Sequence, residues 1–170
     1  MRVMKKMNII MKSLIGVMLL ADTSDASAAI INIVQGKMNF ELNTATRSAT
    51  VRRSAYFCSA NATEDVTIPS SVNYKGMSFS VQTIGKGAFE RCTRLKSVNI
   101  PKTVTCIDDN AFAGCSNLNF IILPPYLTTI GAHAFLGCKM LTFINIPASV
   151  KKVGTGAFEG CVGLPQDIGI

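Results

Sequence analysis

The sequence predicts a repeat solenoid, mainly β with short helical turns, in which 23-residue units stack behind an N-terminal β-hairpin cap. Two observations carry this reading. Ala-Phe-x-x-Cys occurs at Ala88, Ala111, Ala134 and Ala157, with its phenylalanines at 89, 112, 135 and 158, an unvarying step of 23 residues. Around the last three copies, Leu95–Asn117, Leu118–Met140 and Leu141–Gly163 align without gaps, each opening Leu-x-x-apolar-x-apolar-Pro. A fixed period of this length marks units that cannot bury an apolar face alone and do so by stacking.

Residues 1–28 read as a signal peptide. Arg2, Lys5, Lys6 and Lys12 make a basic start, and the apolar run Ser13–Ala21 is far shorter than the roughly 20 residues of a transmembrane helix. Ala26-Ser27-Ala28 supplies a small-x-small cleavage site before Ala29. The chain is therefore expected to be secreted or held at the cell surface, with no transmembrane helix after signal cleavage. With Asp22 and Asp25 against those four basic residues, this segment contributes +2 of the net charge of +7. The other basic residues are scattered apart from Arg52-Arg53 and Lys151-Lys152, which describes a solvated surface and not a nucleic-acid groove.

Residues 29–63 do not repeat and read as an N-terminal β cap. Met38–Leu42 and Ala49–Arg53 alternate apolar with polar side chains around a polar turn at Asn43–Ser48, the pattern of a hairpin. The solenoid follows over 64–170 as four units plus a partial fifth. Its first unit, from Val66-Thr-Ile-Pro69 to Cys92, carries a nine-residue insertion placed at Asn73-Tyr-Lys-Gly76, where a second small hairpin is expected.

Each repeat position has a physical reason. Leu95/Val98/Ile100, Leu118/Ile121/Leu123 and Leu141/Ile144/Ile146 point inward along a short strand. Pro101, Pro124 and Pro147 end that strand, because proline has no N–H for the ladder. Val104/Ile107, Leu127/Ile130 and Val150/Val153 point inward from the opposite wall. Gly85, Gly131 and Gly154 then turn the chain with positive φ, and Asp108 takes that place in the second unit. Ala and Phe start a helical turn that brings Cys onto the same face.

These motifs resemble the BspA-type leucine-rich repeat family, whose units read Leu-x-x-Ile-x-Ile-Pro … Ile-Gly-x-x-Ala-Phe-x-x-Cys. The match is strong over 66–163, including Val66–Val72 and Val81–Phe89, and weak over 29–65. The resemblance implies a right-handed leucine-rich-repeat stack and a secreted or cell-surface bacterial protein. Its best-known members are adhesins for host proteins and other cells, and it brings no catalytic residues.

Cys92, Cys115, Cys138 and Cys161 share one repeat position and are expected as a ladder of buried free thiols, because their parallel side chains disfavour bridging. Cys58 lies in the cap and Cys106 at an outward position; a bridge between those two is the second reading. A 23-residue spacing does not suit zinc, and Asp108-Asp109 alone make a poor calcium site, so no metal is expected. His133, the single histidine, sits with Gly87, Asn110 and Gly156 at a variable surface position. No serine or cysteine has a histidine partner, so no catalytic residue, enzyme activity or cofactor is expected.

The outward positions of the Leu-x-x-Leu-x-Leu strands read Asp65/Thr67, Ser97/Asn99, Phe120/Ile122 and Phe143/Asn145 down the stack. Phe120, Ile122 and Phe143, edged by Asn99 and Asn145, are thus expected to form an exposed apolar cluster that binds an extracellular protein or glycan ligand. Chance variation on a sheet that favours aromatics would leave the same residues with no ligand. At the other end, Leu164–Ile170 resembles the start of a fifth strand with no polar cap after it. Either the chain self-associates end to end there, or it is a shortened relative of a longer protein. The functional expectation is an adhesin-like binding protein; the alternative is a structural spacer or assembly subunit without its own ligand.

Overall fold

A computed structural model describes residues 29–59, 65–165 and 168. The expected signal peptide lies outside them, as do residues 166, 167, 169 and 170 of the expected fifth strand; Leu164, Pro165 and Ile168 form no strand.

The described chain opens with an antiparallel meander of β1 (Ile30–Gln35), β2 (Met38–Asn43) and β3 (Ser48–Arg52). Met38, Phe40 and Leu42 alternate inward along β2 and are buried, which fixes its register against both neighbours. Two local devices close the turns. Gly36 has a φ of 62°, and the Asn43 side-chain oxygen accepts hydrogen bonds from the Ala45 and Thr46 amides at 3.0 and 3.1 Å. β3 then turns from cap to stack by pairing in parallel with β6 (Met77–Ile84).

β5 (Ser71–Tyr74) folds back antiparallel on the first half of β6. Lys75 and Gly76 between them both have positive φ, the geometry of a tight hairpin turn that follows the strands' own twist. From here the chain coils between walls. One is a four-stranded parallel sheet in the order β11 (Phe143–Asn145), β9 (Phe120–Ile122), β7 (Ser97–Asn99), β4 (Asp65–Thr67). The second continues β6 through β8 (Cys106–Ile107), β10 (Thr129–Ile130) and β12 (Lys152–Val153), also in parallel. β7, β9 and β11 stop just short of Pro101, Pro124 and Pro147, whose carbonyls accept the amides of Val104, Leu127 and Val150 and so close the corner.

A third wall replaces the expected helical turns, and no helix occurs among the described residues. Along Gly85–Cys92 the amides alternate in direction. Ala88, Glu90 and Cys92 donate to carbonyls three residues back, whereas Gly87, Phe89 and Arg91 donate to Asp109, Ala111 and Ala113 of the next coil. The two later coils repeat this arrangement, for example Phe112 to Ala134 and Phe135 to Ala157. A helix needs every amide to point back along its own axis. Here half of them join neighbouring coils instead.

The positive-φ residues of this wall are Gly87, Asn110, His133 and Gly156, then Arg91, Gly114, Gly137 and Gly160. Gly85, Gly131 and Gly154, expected at positive φ, are not among them. Their glycine is required for close approach: a Cβ on Gly131 would lie 2.5 Å from the backbone of Asp108 and Asp109, and one on Gly154 would lie 2.3 Å from the Ala132 nitrogen. The left-handed position is His133's, one of the side chains enriched there. His133 is half-buried against the next coil, its ring within 2.9 Å of where a Cβ on Gly156 would be.

The walls enclose one continuous core. Phe89, Phe112, Phe135 and Phe158 form a parallel column with ring centroids 5.2–5.3 Å apart. That spacing follows from strands about 4.8 Å apart. Phe57 of the cap continues the column, 5.8 Å from Phe89 and tilted against it. Beside it runs the cysteine ladder, where the thiols of Cys115, Cys138 and Cys161 donate to the carbonyls of Phe89, Phe112 and Phe135. The ladder is not free along its whole length. Cys92, its first rung, is disulfide-bonded to Cys58, and Cys106 is a free thiol, so neither the expected free Cys92 nor the alternative Cys58–Cys106 pairing holds. Cys92 is the first rung, and Cys58 of the preceding segment supplies its partner from outside the ladder.

Candidate functional site

The outward face of the four-stranded sheet carries the candidate site. Parallel register sets Phe143 beside Phe120 and Asn145 beside Ile122, with Ser97 on the other side of Phe120. The alternation that buries Val98 and Ile121 between these residues forces their neighbours outward. Phe120, Ile122 and Phe143 are accordingly 49%, 60% and 55% exposed. Three large apolar side chains side by side on two strands make a patch, not scattered surface residues.

A groove of about 380 Å³ runs alongside, lined by Phe120, Ile122, Leu123, Pro124, Pro125 and Ile100, with Asn99 and Lys102 among its polar lining. It lies within the size range of ligand pockets, which start near 300 Å³. Ser97 at its margin is engaged, its hydroxyl 2.6 Å from a carboxylate oxygen of Asp65.

Asn145 serves otherwise than expected. Its side-chain oxygen accepts the Leu123 amide at 2.8 Å and its amide nitrogen donates to the Leu123 carbonyl at 3.4 Å. Both polar ends are therefore spent on the backbone where β9 runs out, and Asn145 locks two strands together. Asn99 is exposed, and its side chain has no hydrogen-bond partner among the described residues.

Three residues of this region were missed in sequence. Tyr126 is 66% exposed just past Pro125, and Met140 is exposed shortly before Phe143. Tyr126 occupies the place of Thr103 and Ser149, whose hydroxyls bond to the backbone of the preceding coil. The swap from a short hydroxyl to an aromatic was the available signal. Lys102 was hidden by its ordinary position after a proline.

Elsewhere the Asp108-Asp109 pair and the buried thiols are committed to structure. Asp108 accepts the Asp109 amide, and Asp109 accepts the Ala132 amide, each at 2.8 Å. No group of three or more metal-ligating side chains occurs among the described residues. Burial pushes the Cys115 thiol up to about 12, which keeps it protonated and unreactive at neutral pH. The neighbouring Cys161 thiol and burial raise Cys138 as well. Burial, with Asp108 and Asp109 close by, raises Cys106.

The family model for the BspA type leucine rich repeat region matches residues 41–165 in six copies. Among solved structures, a leucine-rich repeat protein from Bacteroides capillosus is 31% identical, covering 79% of this chain and 95% of its own, with a TM-score of 0.70. One from Bacteroides ovatus is 30% identical with a TM-score of 0.65, covering 76% of this chain; the match spans only 33% of that longer protein. The leucine-rich repeat protein of T. pallidum, 24% identical over 75% of this chain and 66% of its own, shares the fold with a TM-score of 0.57. No curated protein matches the chain.

Proposed function

The chain belongs to the BspA-type leucine-rich repeat family, and from that premise we propose that it is a secreted or cell-surface binding protein. It captures an extracellular protein or glycan in an adhesin-like manner on the outward face of β7, β9 and β11. Family members are typically bacterial surface or secreted proteins without enzymatic activity, and no helix among the described residues is long and apolar enough to cross a membrane. The proposal includes a right-handed coil of 23-residue units and export by cleavage before Ala29. N-terminal sequencing of protein recovered from outside the producing cells checks the cleavage.

One observation carries the functional reading: Phe120, Ile122 and Phe143 are held together in solvent by paired strands whose alternation buries Ile121 between Phe120 and Ile122. Keeping such side chains exposed forgoes about 25 cal/mol for each Å² of apolar area left in water. Capture of immobilised extracellular-matrix proteins and a glycan array tests it, with Phe120→Ser/Phe143→Ser as the comparison. Loss of capture by a folded double variant supports the reading, and undiminished capture defeats it.

A spacer or assembly role has its own support. Ile144, Ile146, Val150 and Phe158 are only half-buried among the described residues, so another chain could cover them end to end. Sedimentation across a concentration range separates the two roles: association that survives the Phe120/Phe143 change, with no captured ligand, favours assembly.

A further inference from the structure

The groove beside the apolar cluster has few polar groups to offer, and they are specific. Ser97 is spent on Asp65, and Asn145 on Leu123. That leaves the Asn99 amide and the Lys102 ammonium, which makes no ion pair among the described residues. No carboxylate lines the groove; Asp65, the one acid on the outward face of this sheet among the described residues, sits on the neighbouring edge strand β4 with its carboxylate hydrogen-bonded to Ser97. The remaining lining is Phe, Ile, Leu, Val and Pro.

A sugar presents a hydroxyl on nearly every carbon and would bury several of them unpaired here, each at a cost. An extended polypeptide suits the lining better. Its apolar side chains fill the Phe120/Ile122/Pro124 trough, Asn99 pairs with a backbone amide, and Lys102 meets a carboxylate. Resting on the sheet-face reading above, we infer that the occupant is a protein segment in which apolar side chains stand next to an aspartate or glutamate. Charge complementarity at Lys102 and the scarcity of other polar partners select it over a glycan.

Selection from a displayed library of random 12-residue peptides tests this, with full-length mature protein and its Lys102→Glu and Phe120→Ser variants as baits. Lys102 is exposed, so its replacement leaves the core intact; urea unfolding of each bait confirms folding. Peptides enriched on the unaltered protein should combine apolar and acidic residues and bind the Lys102→Glu variant about fivefold more weakly, the scale of one exposed ion pair. The Lys102→Glu bait should instead enrich basic peptides, and Phe120→Ser should enrich neither. Indifference of the selected charge to residue 102, or failure to enrich any peptide, overturns the inference. Glycan capture that depends on Phe120 and Phe143, with no peptide selected, overturns it while leaving the sheet-face reading in place.

Discussion

Cys58 of the cap is bonded to Cys92, the first rung of the cysteine ladder, while Phe57 beside Cys58 packs on Phe89, three residues before Cys92. Cap and stack are thus joined by a covalent tie and by continuation of the aromatic column. The bridge closes a sequence separation of 34 residues. A loop of that length corresponds to about 3 to 4 kcal/mol from restriction of the unfolded chain. Reduction, or Cys58→Ala with Cys92→Ala, is expected to lower stability on that scale, read as a shift in urea midpoint. An unchanged midpoint under reductant would show that the tie contributes nothing.

Burial of the Cys115 thiol gives stability an alkaline dependence. Cys115 titrates near 12 in the folded chain against a reference of 9.0. Between those values the unfolded chain holds fewer protons, so stability falls as pH rises. Its contribution is present below pH 9 and lost through 12. Between about pH 9 and 10.5 the expected loss from this thiol is roughly 1.5 kcal/mol. Chemical denaturation over that interval should show a shallower slope for Cys115→Ala, whatever the variant's absolute stability; equal slopes would contradict the assignment.

The glycines of the third wall divide by cause, and substitutions separate them. Gly131→Ala places a methyl 2.5 Å from the backbone of the preceding coil. It is expected to cost about 1 to 3 kcal/mol, as overpacking does. His133 instead needs tolerance of a left-handed backbone at φ 54°. His133→Asn should be near neutral, while the β-branched His133→Val should cost roughly 1 to 2 kcal/mol. Thermal unfolding of the three variants checks the order; a harmless Gly131→Ala would show that the coils can move apart.

Asn145 is expected to matter for stability before binding. Asn145→Ala removes both hydrogen bonds to Leu123. The expected cost is about 1 to 2 kcal/mol, measured by urea unfolding, with ligand capture by the folded variant retained. Loss of capture at unchanged stability would return Asn145 to the ligand surface.

The repeat made much of this legible beforehand. Because Leu118, Ile121 and Leu123 must point inward, Phe120 and Ile122 had to point out, and the structure places them so. The corners after Pro101, Pro124 and Pro147 follow equally from missing amides. Outside the period the sequence said less. Phe57-Cys58 continues the column and the ladder, but its context, Ser54-Ala-Tyr-Phe-Cys58, departs from Ala-Phe-x-x-Cys, so no alignment could pair Cys58 with Cys92. The third wall looks helical in sequence because local spacing shows which residues share a face and not where their amides point. Sequence alone does not separate the role of Gly131 from that of His133, since glycine serves close approach and positive φ alike. The outward position of Asn145 does not reveal its bonds back to Leu123.

The exposed Phe120/Phe143 pair is expected to bind ligand and not to hold the fold together. The most direct test is titration of Phe120→Ser/Phe143→Ser and unaltered protein against the captured ligand, beside urea unfolding of both. The unfolding free energy is expected to change by no more than about 0.5 kcal/mol, with affinity at least tenfold weaker, a loss of roughly 1.4 kcal/mol. Equal affinity in the two proteins, at equal stability, would contradict it.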